Sequence, residues 1–197
     1  MWPYRYADFQ NGTVYFKNGQ TFSASLNVHL LKSSLHYLEK EVIKEATSAD
    51  IESVQIGFDK FRMVNNQLMF PMLGDSTGYV AELLLADLEA LTESGGAYGS
   101  PSNVQATRKL SSLDIGGVSI VNHIELKEKK GDGSLLPLTI KYYIVTDKAV
   151  YPATQKDIKS RLSKEEQAAF KQFVKQHKIK WKKPESLVEL LEFLKER

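Results

Sequence analysis

Near the start of the chain, two runs with alternating apolar and polar residues meet across Asn18-Gly19. The first is Thr13-Val14-Tyr15-Phe16-Lys17 and the second runs from Gln20 to Val28. Asn-Gly suits the centre of a type I′ turn, where both residues need positive φ, so the pattern predicts a two-residue β-hairpin. In that register Lys17 faces Gln20, Tyr15 faces Phe22 and Thr13 faces Ala24. Tyr15, Phe22, Ala24, Leu26 and Val28 then share one face, and Val14 and Phe16 fall on the other. Apolar residues on both faces require either cover on the second face or a bulge that shifts the register. Partial cover by a loop or helix is the expectation.

The same period of two continues. Ser34 to Glu39 alternates Leu35 and Tyr37 with His36 and Leu38, and Glu41 to Ala46 is a weaker strand. Ile51 to Ile56 and Lys60 to Val64 follow, broken by Gly57, with Asn65-Asn66 as a turn. Gln67 to Leu73 and Gly78 to Leu85 read as a further pair. Val80 to Leu91 also fits a helix by its spacing, and the strand reading is preferred for its first half. Thr92 to Leu110 is rich in Gly, Ser and Pro and reads as a long loop. Gly117 to Lys127 and Leu136 to Thr146 then form a longer hairpin around Lys129 to Ser134, and Ala149 to Tyr151 adds a short strand.

After Thr154 the period lengthens to about 3.6 residues, the repeat of an α-helix. Thr154 with Asp157 resembles a capping box, and Ser163-Lys164-Glu165-Glu166 is a full one. Phe170, Phe173, Val174 and His177 share a face on the second helix. Pro184 suits the first turn of the last helix, because its missing N–H is not needed there. Leu187, Leu190, Leu191 and Leu194 form that helix's apolar stripe. Trp181 is expected to plug the junction between the two helices.

Composition narrows the field. At 197 residues the chain can bury a substantial core, and with 42% hydrophobic and 25% charged residues it is ordinary for a globular protein. The absence of cysteine removes disulfides, thiolate metal sites and cysteine nucleophiles, and is compatible with cytosol or periplasm. No run approaches the ~18 apolar residues of a membrane span. The first residues lack the basic start and apolar run of a secretory signal. Charge is uneven: residues 1–100 carry 7 Lys/Arg and 12 Asp/Glu, whereas residues 101–197 carry 19 and 12. A basic, solvated helical tail accounts for that asymmetry, which could also steer an acidic partner.

Candidate chemistry is sparse. The histidines 29, 36, 123 and 177 lie on different elements; His29 and His36 could meet in a sheet, but a metal site needs further ligands. His123 and Glu125 share a strand face and could act as an acid/base pair, although a solvated face is the simpler reading. Gly96 and Tyr98 sit in the glycine-rich loop, where the tyrosine offers apolar area and a hydroxyl to a ligand, or pins its own loop. Gly96, Tyr98, His123 and Glu125 are therefore the ligand-binding candidates, with no catalytic set and no metal ligands. No phosphate loop, dinucleotide fingerprint or nucleophile elbow occurs, so no cofactor is expected. Lys171, Lys175, Lys178, Lys180, Lys182 and Lys183 interleave with Phe170, Phe173 and Trp181, a pattern shared by nucleic-acid binders and by any amphipathic helix with an apolar inner face.

The run from Asp8 to Gly19, then Leu26-Asn27 and Leu35-His36-Tyr37-Leu38, resembles the front of uncharacterised exported proteins from Bacteroidetes. Ala97-Tyr98-Gly99, Tyr142-Tyr143-Ile144 and Ser186 to Leu191 are similar to later landmarks of that group, in the same order. The resemblance implies export to the periplasm or cell envelope, with the signal peptide missing here, and supplies no catalytic residues. The expected architecture is α+β in a single domain over residues 1–197. A mainly antiparallel curled sheet or open barrel occupies 12–152, and the helices of 154–197 pack on it. The expected function is a non-enzymatic module that binds an unidentified protein or small ligand. The alternatives are an enzyme whose site assembles only in the fold, from Tyr98, His123 and Glu125, and nucleic-acid binding through the tail.

Overall fold

The computed structural model describes residues 3–46, 49–93, 114–115, 118–119 and 136–196. In chain order the elements begin with strands β1 (Gln10–Phe16), β2 (Thr21–His29), β3 (Ser34–Glu39) and β4 (Val42–Ala46). Next come β5 (Ile51–Ile56), β6 (Asp59–Val64), β7 (Gln67–Gly74), β8 (Gly78–Ala86) and helix α1 (Leu88–Glu93). Two short strands, β9 (Asp114–Ile115) and β10 (Val118–Ser119), precede β11 (Leu138–Thr146) and β12 (Val150–Pro152). Helices α2 (Gln155–Arg161), α3 (Lys164–His177) and α4 (Pro184–Lys195) close the chain. The fold is α+β, with a curled antiparallel half-barrel of ten strands followed by the helices. Strand order is β12-β11-β8-β7-β6-β5-β1-β2-β3-β4.

Two compact units make up the chain. Pro3–Leu85 with Ile140–Arg197 forms the larger, which holds nearly all of the ten-stranded sheet and the helices α2–α4. Ala86–Thr139 forms the smaller. Within it β9 and β10 pair antiparallel, and Asp87 caps α1 by accepting from the Ala90 N–H at 2.9 Å and the Thr139 hydroxyl at 2.9 Å. These hydrogen bonds hold the Asp87 carboxyl below its ordinary pKa. Of the expected 117–127 strand, only Val118 and Ser119 lie within the described residues.

The first hairpin adopts a different register from the one its turn residues predict. Val14 pairs with Phe22, Tyr15 with Thr21 and Thr13 with Ser23. The connection has three residues: the Phe16 N–H donates to the Gln20 carbonyl at 2.9 Å, and the Gly19 N–H donates back to the Phe16 carbonyl at 2.9 Å. Gly19 alone takes positive φ, at 82°, as a type I turn followed by a glycine bulge requires. Asn18 instead accepts the Gln20 N–H on its side-chain oxygen at 3.0 Å. The one-residue shift moves Val14 and Phe16 onto the face of Phe22, Ala24, Leu26 and Val28, and sends Tyr15 and Thr13 to the other side with Thr21 and Ser23. The apolar residues other than Tyr15 then share one face, so the covering loop or helix expected over the second face is not needed to bury Val14 and Phe16. True two-residue turns occur elsewhere, at Lys40-Glu41 and at the expected Asn65-Asn66, where both residues have positive φ.

Chain connectivity forces the sheet to curl. β4 and β5 are consecutive in sequence but lie on opposite sides of β1-β2-β3. On a flat sheet they would be about 19 Å apart, at about 4.8 Å per strand step. The five steps from Ala46 to Ile51 reach only about 17 Å when fully extended. Rolling the sheet brings the two strands within reach. The β2–β3 turn closes onto β7 as well: the Leu68 N–H donates to the Ser33 carbonyl at 2.8 Å, and the Ser33 hydroxyl donates to the Leu68 carbonyl at 2.6 Å. Val14, Leu26, Val28, Leu35, Val54, Ile56, Phe61 and Leu68 form the core of this half-barrel.

The face carrying Phe61 and Phe70 continues through Glu82, the partner of Phe70, onto Val80, and there the helices cover it. Val80, Ile144, Ile158, Phe170, Leu187, Leu190, Leu191 and Leu194 are buried together, with Trp181 packed against them. Both expected caps form. Thr154 accepts the Asp157 N–H at 3.1 Å, and Ser163 and Glu166 complete a reciprocal box at 3.3 and 2.8 Å. His177 and Glu189, 2.8 Å apart, link α3 to α4. Lys195 reaches Asp75 at 3.3 Å, joining α4 to the β7–β8 turn.

Candidate functional site

The inner face of the half-barrel is not filled to its end. Val14 and Phe16 from β1, Phe22 and Leu26 from β2, Leu35 and Tyr37 from β3, and Ile51 from β5 line a cleft of about 320 Å³, bordered by Glu45 and Ala46 of β4. The corrected register builds this cleft, because only with Val14 opposite Phe22 do the β1 and β2 side chains face the same space. Phe22 is 45% exposed at the mouth and meets Tyr37 edge to face, with ring centroids 5.8 Å apart. Such a pair exposes aromatic area that water solvates poorly. Tyr37 lies opposite Lys44, whose ammonium pairs with Glu39 and has its pKa raised by that hydrogen bond. The lining side chains are therefore mainly apolar and aromatic, while much of the surface that the cleft leaves open is polar.

The outer face of the same strands carries a second cluster. His29 and His36, which the sequence allows to meet in a sheet, stack with ring centroids 4.6 Å apart and planes within 2°. The Tyr4 ring approaches both edge-on, at 5.1 and 5.5 Å, and its hydroxyl shares a 3.0 Å hydrogen bond with His36 Nδ1. Glu45 stands 4.0 Å from His36 Nε2. Burial pushes the Tyr4 hydroxyl up and the His36 imidazole down, with Glu45 opposing the latter.

This cluster is poorly arranged for nucleophilic or metal chemistry. A tyrosine raised by burial keeps its proton, and the carboxylate lies beyond hydrogen-bond distance of the imidazole. Stacked rings direct their nitrogen lone pairs into parallel planes, which do not converge on one ion. Among the described residues no group of three or more His, Asp or Glu side chains is placed to hold a metal.

The residues at positions 3–9 cross the end of β2. Arg5 donates its N–H to the Val28 carbonyl, and Leu30 donates to the Pro3 carbonyl, both at 2.9 Å. Asn27, fully buried, holds the following bend: its amide donates to the Tyr6 and Asp8 carbonyls at 3.0 and 3.2 Å, and its oxygen accepts the Tyr6 N–H at 3.2 Å. The Tyr6 hydroxyl donates to Asp59 at 2.5 Å, and burial together with that carboxylate raises its pKa strongly. The Arg5 guanidinium lies over the Phe61 and Phe70 rings at 5.2 and 5.8 Å.

The four residues singled out from sequence, Gly96, Tyr98, His123 and Glu125, lie outside the described residues. The cleft residues were legible only as core. Their one signal was an excess of aromatics, Phe16, Phe22 and Tyr37, on strands too short to bury them all. In the tail, Lys171, Lys175, Lys178, Lys180, Lys182 and Lys183 are exposed, but Phe170 and Trp181 turn inward and Phe173 stacks on His177 and Phe193. The aromatics that would stack on bases are thus committed to the helical core. No helix among the described residues is long and apolar enough to cross a membrane. Compared with known protein families, with curated proteins and with solved structures, the chain matches none.

Proposed function

We propose that this chain is a non-enzymatic binding module, exported from the cell that makes it, whose half-barrel takes a small ligand with an apolar body. One observation carries the reading: an open cleft of about 320 Å³, lined mainly by apolar side chains, with Phe22 standing 45% exposed at its mouth. Pockets of roughly 300–1,000 Å³ suit small molecules, and this one falls at the small end, the size of a ring system or a short aliphatic chain. The lining offers aromatic faces and branched aliphatic groups, while the Glu45 side chain turns to the opposite face, toward His36. Affinity would come from desolvating both surfaces, and the polar edge would orient the ligand. The exported address rests on the resemblance of the strand and helix landmarks to exported Bacteroidetes proteins.

Titration with N-phenyl-1-naphthylamine, an apolar fluorophore, tests the cleft. Saturable enhancement is expected, weakened about tenfold or more in Phe22→Ser, the equivalent of about 1.4 kcal/mol. Absence of saturable binding, or unchanged affinity in both Phe22→Ser and Tyr37→Ser, overturns the reading. Cell fractionation of the native host tests the address, and recovery from the cytosol rejects it.

A further inference from the structure

We propose that Tyr4, His29, His36 and Glu45 form an acid-released latch on the N-terminal arm, residues 3–9. The arm runs antiparallel to the end of β2, bridged to it at Tyr4 and His29. It is fastened by backbone hydrogen bonds, by the Asn27 amide, and by the Tyr4 hydroxyl on His36. Among the described residues, the titratable groups seen against His36 are Tyr4 from the arm, His29 from β2 and Glu45 from β4.

The docked arm keeps His36 neutral. Tyr4 lays its ring against both imidazoles, so that the His36 side chain is only 14% exposed. Burial is the larger influence on His36 and lowers its pKa from 6.5; Glu45, itself 46% exposed, opposes it and is the smaller. When the arm leaves, water reaches the imidazole and the cost of charging it falls. A group that binds a proton more tightly in one state pulls the equilibrium toward that state as pH drops. Here the folded, docked state has the lower pKa. Its stability is fully present above about 6.5, the ordinary histidine value, and is lost as pH falls through the docked value below it.

Releasing the arm would also lift Arg5 from Phe61 and Phe70 and Tyr6 from Asp59, uncovering the end of the half-barrel. The arm would then act as a strap whose hold follows compartment acidity. This inference is independent of what occupies the cleft.

Amide hydrogen exchange followed by NMR tests it. The Arg5 and Leu30 amides report arm docking, and the β5 amides report global opening. Between pH 7.5 and pH 5, protection of the two arm amides relative to β5 is expected to fall several-fold, up to about tenfold for each unit of histidine pKa difference. In His36→Phe, which keeps an aromatic ring and cannot titrate, the ratio is expected to stay flat. A flat ratio in the parent chain, an equal fall in arm and β5 protection, or an undiminished fall in His36→Phe overturns the proposal. Should His36→Phe fail to fold, the His36 ring titration in the parent chain decides. A midpoint below 6.5 sustains the latch, and one at or above 6.5 removes it.

Discussion

One continuous sheet treats its inner face differently at its two ends. Over β8, β11 and β12 the face is sealed by α2–α4, and Leu187, Leu190 and Leu191 have no accessible surface. Over β1, β2 and β3 the same kind of face curls on itself and stops short of closure, leaving Phe22 and Tyr37 around a cleft. Both ends have apolar inner surfaces and similar strands. What separates them is the cover: an amphipathic helix can be laid flat against a sheet, whereas a curled sheet must fill its own concavity with side chains. The sealed end holds the fold together, and the open end has surface left over for a ligand.

The sharpest way to break that contrast is to truncate one residue from each end. Leu190→Ala is expected to cost about 2–5 kcal/mol, the range for removing a fully buried leucine. Phe22→Ala should cost less than about 1 kcal/mol, because its ring is already half in water. Denaturant unfolding followed by circular dichroism measures both, and equal losses would mean that the cleft is as much core as the helical end. Gly12→Val probes how tightly the open end is built beneath its cleft. A Cβ at Gly12 would lie 2.4 Å from the Gln55 carbonyl oxygen and 2.7 Å from Leu26 Cδ1, so about 1–3 kcal/mol or more should be lost. A thermal midpoint unchanged by Gly12→Val would show that β1 and β2 are looser than their register implies. A modest effect is expected at the sealed end as well. Ser163→Ala removes the hydroxyl that receives the Glu166 N–H, and about 1 kcal/mol is expected in the same unfolding measurement.

Much of the architecture was legible because it depends on local period. The alternation of Leu35 and Tyr37 with His36 and Leu38 places two residues inside and two outside, as β3 shows. Val80 to Leu91 divides where its two periods overlap: β8 ends at Ala86 and α1 begins at Leu88. The Ser163 capping box and Pro184 start their helices where expected. The hairpin register was misread because Asn18-Gly19 satisfies two turns, one of two residues and one of three. The local preference cannot choose between them, but burial of Val14 and Phe16 can. The cleft was invisible, and the meeting of His29 with His36 no more than permitted, for a related reason. Each joins residues from several strands, and their meeting depends on the order in which those strands pair.

By itself the sequence determined most of the described elements, the inward faces of strands such as β3 and of the last helix, and the change from strands to helices near Thr154, because each is a property of neighbours along the chain. It also bounded the chemistry by omitting cysteine, a phosphate loop and the dinucleotide fingerprint. Tertiary structure alone decided the register of the first hairpin, the placing of β4 and β5 on opposite sides of β1-β2-β3, the cleft that results, and the burial of His36 beneath Tyr4. Those features arise where distant segments compete for one apolar surface. The free energy that settles such a competition is defined only once all the competitors are packed together.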